Sequence, residues 1–76
     1  MNIKVLGGGC SKCETLLANT KEAVAAADIE TEVEYITDFM EVASYGVMRL
    51  PALIVNNKAV SRGKVLKTKD ILKFLK

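Results

Sequence analysis

Cys10 and Cys13 are the only cysteines in the chain, and only Ser11 and Lys12 separate them. A ring that short removes little entropy from the unfolded chain, so it is a poor staple. Secreted mini-proteins held by disulfides usually carry about four or more cysteines, spread to close long loops. This pair therefore points to chemistry. Whatever fold forms has to hold two sulfurs side by side and leave one of them within reach of a partner.

The surroundings of the pair are equally restrictive. Ile3, Val5 and Leu6 read as a short strand over residues 2–6, and Gly7-Gly8-Gly9 breaks it. Residues 11–27 read as a helix, with Cys13, Leu16, Leu17, Thr20, Val24 and Ala27 spaced by three and four. Ser11 or Cys10 falls near its cap, and Glu14 lies in the first turn, where an acid suits the helix dipole. Residues 29–36 alternate: Ile29, Thr31, Val33 and Tyr35 on one side, Glu30, Glu32 and Glu34 on the other. That predicts a half-buried strand with an acidic outer face.

Asp38 is the expected cap of a second helix to about Tyr45, with Phe39, Val42 and Ala43 inward and Gly46 ending it. Ala52-Leu53-Ile54-Val55 is a continuous apolar run, the pattern of a strand buried on both faces. Asn56-Asn57 is a two-residue hairpin signal, because Asn tolerates positive φ. Lys58–Ser61 is the returning edge strand, Gly63 sits in a loop, and Thr68 caps a last helix to Lys76 with Ile71, Leu72 and Leu75 as its stripe. The order is β-α-β-α-β-β-α, with a parallel, right-handed first unit and an antiparallel closing hairpin.

Composition excludes several functions. A length of 76 residues leaves room for one domain, residues 1–76. The absence of histidine removes Ser-His-Asp triads, Cys-His proteases and His-ligated zinc. A net charge of +2 is too mild for a nucleic-acid binder. No apolar run approaches the roughly 18 residues that span a bilayer. The start, Met1 to Leu6, has too brief an apolar run for a signal peptide, so the expected compartment is the cytoplasm.

Charge is unevenly placed. Asp28, Glu30, Glu32, Glu34, Asp38 and Glu41 form an acidic stretch free of Lys and Arg. From Lys58 onward Asp70 is the only acid among many cations. The plain reading is two solvated faces. The functional reading is a patch that steers an oppositely charged protein partner.

The chemistry expected of the cysteines follows from their positions. Helix N-terminal amides favour an anion at Cys10, and a thiolate is such an anion, with a pKa that can fall below the ~8.5 of a free thiol. Lys12 adds a nearby positive charge. Cys10 closes the loop and should be the accessible sulfur; Cys13 lies one turn in, on the inward stripe. Cys10 would attack a partner disulfide, and Cys13 would then attack Cys10 and release the reduced partner. The glycine run has no G-x-G-x-x-G spacing, which leaves a nucleotide site unsupported, and it suits close approach of a partner backbone. Pro51 is the only proline and is placed for strand entry.

Taken together, Gly9-Cys10-Ser11-Lys12-Cys13 and Gly46-Val47-Met48-Arg49-Leu50-Pro51-Ala52-Leu53-Ile54-Val55-Asn56-Asn57-Lys58 resemble the small thioredoxin-like, glutaredoxin-sized redox-active disulfide proteins. The resemblance covers about residues 2–76. It implies an α/β minimal thioredoxin-like fold, a four-stranded mixed sheet flanked by three helices. It implies a thiol–disulfide oxidoreductase whose redox centre is the Cys10–Cys13 disulfide itself, with no other cofactor. By the same resemblance Cys10 matches the nucleophile, Cys13 the resolving cysteine and Pro51 the cis-proline opposite the disulfide. Leu50 matches the residue whose backbone pairs with the partner chain like an added strand. Gly9, Ser11, Lys12, Leu50 and Pro51 are thus the expected partner-binding residues, the partners being disulfide-containing proteins and an upstream reductase. A monomer is the default. The sequence departs from thioredoxins proper at Gly9 and Ser11-Lys12, where those carry Trp and Gly-Pro. It departs from glutaredoxins at Leu50, where those carry Thr or Val.

A rival reading is a soft-metal or arsenite-binding protein, because two close thiolates are soft ligands on any fold. The ferredoxin-like version of that reading requires β-α-β-β-α-β, with a strand and hairpin near Asp38–Tyr45 and a strand at the end. No metal-ligating set other than the two cysteines is present, and a tetrahedral zinc would need a second chain to complete it.

Overall fold

The apolar run Ala52–Val55 is buried along its whole length, so it requires a neighbour on each edge and a layer on each face. In the computed structural model, which describes residues 2–75, it is a central strand of the sheet. The elements are β1 (Ile3–Leu6), α1 (Ser11–Ala26), β2 (Val33–Ile36), α2 (Phe39–Ser44), β3 (Ala52–Val55), β4 (Lys58–Arg62) and α3 (Thr68–Leu75). The four strands lie in the order β2-β1-β3-β4. β1 runs parallel to β2 and antiparallel to β3, and β4 pairs antiparallel with β3. The element order and the mixed sheet are those expected from the sequence.

Successive strand residues face opposite ways, and this divides the core in two. On one face Ile3, Val5, Leu53 and Val55 pack against Leu16, Ala23 and Val24 of α1 and Ile71 and Leu75 of α3. On the other, Leu6, Ile36, Ala52 and Ile54 meet Val42 of α2 and Val47. Thr20 sits fully buried on the α1 stripe, and its hydroxyl donates to the Leu16 carbonyl at 2.7 Å. That bond satisfies the polar atom without interrupting the packing. Lys4 points to the α2 face, where its ammonium donates to the Tyr45 hydroxyl at 2.7 Å and lies 5.4 Å from the ring centroid. The Tyr45 hydrogen bond raises the Lys4 pKa above its ordinary value. The contribution is thus present throughout the neutral range and is lost only as pH rises through that alkaline pKa.

Three local expectations are corrected. The acidic strand begins at Val33, not Ile29. Asp28 takes φ 56° and the Ile29 N–H donates back to the Val24 carbonyl, so residues 29–32 turn off the helix instead of pairing. In α2 only Val42 is buried, while Phe39 is 81% exposed and Ala43 is exposed. A helix of 6 residues offers the sheet little more than one turn, and Val42 is the residue that this turn buries. Ile71 donates its N–H to the Lys67 carbonyl, which puts Lys67 at the α3 cap and Thr68 inside the first turn. The expected last residue of that helix, Lys76, lies outside the described residues.

Other signals hold as read. Asp38 caps α2 by accepting the Met40 N–H at 2.9 Å, and Gly46 ends it at φ 71°. Asn56 and Asn57 take φ 52° and 67°, the conformation of a two-residue hairpin turn.

Ile54→Ala should cost about 2–5 kcal/mol, because it empties a fully enclosed position between layers. Phe39→Ala should shift stability by less than about 0.5 kcal/mol, because its ring is already in water. Urea unfolding of the two variants checks the contrast.

Candidate active site

Strand register gathers the site at one end of the sheet. Leu6 pairs with both Ile36 and Ala52, and Ala52 pairs with Arg62. The chain therefore leaves β1 and β2, enters β3 and leaves β4 at the same end. Four segments converge there: Gly7 to Cys10, the start of α2, Met48 to Pro51, and the Gly63 turn. Gly7 donates its N–H to the Ile36 carbonyl at 3.0 Å, and Gly63 donates to the Pro51 carbonyl at 2.8 Å. Asn19 ties α1 to the segment before α3 by donating to the Leu66 carbonyl at 2.9 Å.

Within the glycine run, Gly7 serves this convergence from inside the chain. A Cβ at Gly7 would stand 2.7 Å from Cys13 Cβ, 2.9 Å from Tyr35 Cε1 and 3.0 Å from Cys13 Sγ. Only a hydrogen fits where β1 ends against the first turn of α1. Gly9 takes φ 82°, which turns the chain into the helix and which L side chains rarely adopt. Gly8 has neither constraint, and the nearest contact to a Cβ there is Leu50 Cδ1 at 3.9 Å.

Cys10 and Cys13 form a disulfide, with Cα atoms 5.1 Å apart. Cys10 occupies the N-cap of α1, and its Sγ accepts the Cys13 N–H at 3.3 Å. Its carbonyl accepts the Glu14 N–H at 3.0 Å. Cys10 is exposed, whereas Cys13 is fully buried among core residues. The two sulfurs thus differ in access as the helical spacing predicts. Ser11 and Lys12 between them are exposed, as is Gly9. Among the described residues no group of three or more His, Cys, Asp or Glu side chains converges as a metal site.

Opposite this turn the Leu50–Pro51 peptide is cis. Pro51 is buried, and Leu50 is 40% exposed and reaches toward Gly8. The Leu50 backbone forms no hydrogen bond within the described residues. Beside it runs an apolar groove of about 470 Å³ lined by Phe39, Val42, Val47, Met48 and Leu50.

Tyr35, a strand residue by its alternation, also reaches this turn. Its hydroxyl accepts the Gly9 N–H at 3.2 Å, one residue before Cys10. Its ring edge shares the crowded space at Gly7 with Cys13. The only sequence signal was its place near the end of β2, which becomes informative once β2 is known to lie beside β1.

The family model described as Thioredoxin domain matches residues 1–76. The chain belongs to the thioredoxin domain family. It is similar to a protein named thioredoxin from Methanothermobacter thermautotrophicus, with 33% identity over 99% of this chain and 97% of the relative. A protein of the same name from Methanocaldococcus jannaschii is 32% identical over 97% of this chain and 85% of the relative. A thioredoxin domain with a Cys10–Cys13 disulfide supports thiol–disulfide oxidoreductase chemistry as a class. The observed helix α2 and the C-terminal helix α3 also set aside the ferredoxin-like order β-α-β-β-α-β.

Within this thioredoxin domain, Gly7→Ala should destabilise the oxidised protein by about 1–3 kcal/mol, since Cβ would overpack Cys13 and Tyr35. Gly8→Ala should change stability by less than about 0.5 kcal/mol. Thermal unfolding monitored by circular dichroism distinguishes the two.

Proposed function

We propose that the chain is a dithiol electron carrier that reduces or exchanges disulfides in proteins. The observation that carries the reading is the unequal exposure of the two cysteines at the start of α1. Cys10, open to solvent at a helix N-terminus, is the attacking sulfur. In the dithiol form the Cys13 N–H that now meets Cys10 Sγ would donate to its thiolate, and the helix dipole favours the same charge.

The reaction balances as an exchange. The Cys10 thiolate attacks one sulfur of a partner disulfide; that S–S bond breaks and the other partner sulfur leaves as a thiolate. The Cys13 thiol gives up its proton and attacks Cys10 Sγ, and the second partner sulfur leaves. The partner gains two electrons and two protons, and the chain closes its Cys10–Cys13 bond. No cofactor other than this disulfide takes part. An upstream reductase restores the dithiol. Gly9, Ser11, Lys12, Leu50 and Pro51 surround the point of attack, and the unpaired Leu50 backbone is the place for a partner strand. The chain works as a monomer in the cytoplasm, where such disulfides are usually transient. Among the described residues no helix is long and apolar enough to cross a membrane.

Cys10→Ser should abolish reduction of a disulfide-bonded protein substrate such as insulin with dithiothreitol as donor. Cys13→Ser should retain the first attack and accumulate a mixed disulfide visible by mass spectrometry. Reduction that survives in Cys10→Ser would overturn the assignment of roles.

A further inference from the structure

The segment that carries the unpaired Leu50 backbone has an asymmetric electrostatic setting. From Val42 to Lys69 every charged residue is a cation: Arg49, Lys58, Arg62, Lys64, Lys67 and Lys69. Three of them lie on the two segments that meet at Pro51. The Arg49 side chain lies across the Gly63 turn, with Cβ 3.1 Å and Cδ 3.4 Å from where a Gly63 Cβ would stand. Arg62 and Lys64 flank that turn, and the turn is fastened to Pro51 by the Gly63 N–H. All three are exposed, and none forms an ion pair within the described residues, where the one salt bridge is Lys73–Asp70. Lys12, also exposed and without an ion pair there, stands between the two cysteines. On the other side of Leu50 lie the apolar groove and then the acids of α2, Asp38 and Glu41.

We infer that this cationic rim selects the partner. The favoured substrate is an extended protein segment that lies along Leu50 and carries acidic side chains within a residue or two of its cysteine. The inference rests on the oxidoreductase reading and adds to it the chemistry of the polypeptide that is reduced. The argument is charge complementarity together with place. The cations are carried to the end of the sheet where the unpaired Leu50 backbone lies, and Lys58, at the opposite end of β4, provides an internal comparison. The electron transfer is the balanced exchange already described, with the dithiol protein oxidised and the acidic partner reduced to two thiols.

The test uses three short peptides, each dimerised through a single cysteine so that the two sulfurs of the disulfide are equivalent. They differ only in the residues flanking the cysteine: aspartate, asparagine or lysine. Rates of reduction by the dithiol protein are read by chromatography after acid quenching. Each is divided by the rate of the same peptide with dithiothreitol, which removes the effect of the flanking charge on intrinsic reactivity. The aspartate dimer should react about fivefold faster than the lysine dimer at low salt, as expected for one or two exposed charge pairs. The preference should collapse near 1 M salt, where the screening length is about 3 Å. Arg49→Glu should remove or reverse it, the double replacement Arg62→Gln with Lys64→Gln should weaken it, and Lys58→Glu should leave it intact. Equal corrected rates for the three dimers, or an equal loss in Lys58→Glu and Arg49→Glu, would overturn the selection while leaving the oxidoreductase reading standing. Failure to reduce any dimer would overturn that reading as well.

Discussion

At Gly7 the end of β1 closes on the first turn of α1 until no side chain fits between them, and this contact sets the positions of the two cysteines. Cys13 is both a fully buried core residue and half of the disulfide, so its sulfur is fixed by the packing of the stripe that continues through Leu16, Thr20 and Val24. Cys10 is then carried to the helix cap by three residues of geometry. Gly9 supplies the turn and Tyr35 anchors its N–H. Access to one sulfur and denial of the other are consequences of where the core stops.

The sheet extends that logic to the partner side. Because Leu6 and Ala52 are paired, the loop before β3 must face the loop after β1. Because Ala52 is also paired with Arg62, the Gly63 turn is carried to the same end and brings its cations with it. The site is thus an outcome of strand register. Its parts come from segments about 40 residues apart that no local pattern connects.

The elements with strong periodicity are legible in the sequence. The spacing of Cys13, Leu16, Thr20 and Val24, the unbroken run Ala52–Val55 and the Asn56-Asn57 turn each specify a local conformation by simple sterics and burial. What failed were sites decided by neighbours. The alternation from Ile29 looks like a strand, yet β1 offers only 4 residues to pair with, so the first half is left to the turn after α1. Phe39 has the spacing of an inward residue, but a helix of 6 residues buries only Val42 against the core. In the site, the cysteine pair and its asymmetry were readable from spacing, and the cis Leu50–Pro51 peptide followed only from family resemblance. The roles of Gly7 and Tyr35 were invisible, because one depends on how closely β1 approaches Cys13 and the other on the reach of a hydroxyl to Gly9.

The central claim is that Cys10 and Cys13 are a working redox couple. Equilibrating the protein in glutathione or dithiothreitol buffers of graded potential, then trapping free thiols and reading their number by mass, tests it most directly. The account predicts a single reversible two-electron transition between the Cys10–Cys13 disulfide and the dithiol, within about −300 to −180 mV. A pair that stays reduced across that range, or that oxidises only between molecules, would contradict it and turn attention to the two thiolates as a soft-metal ligand.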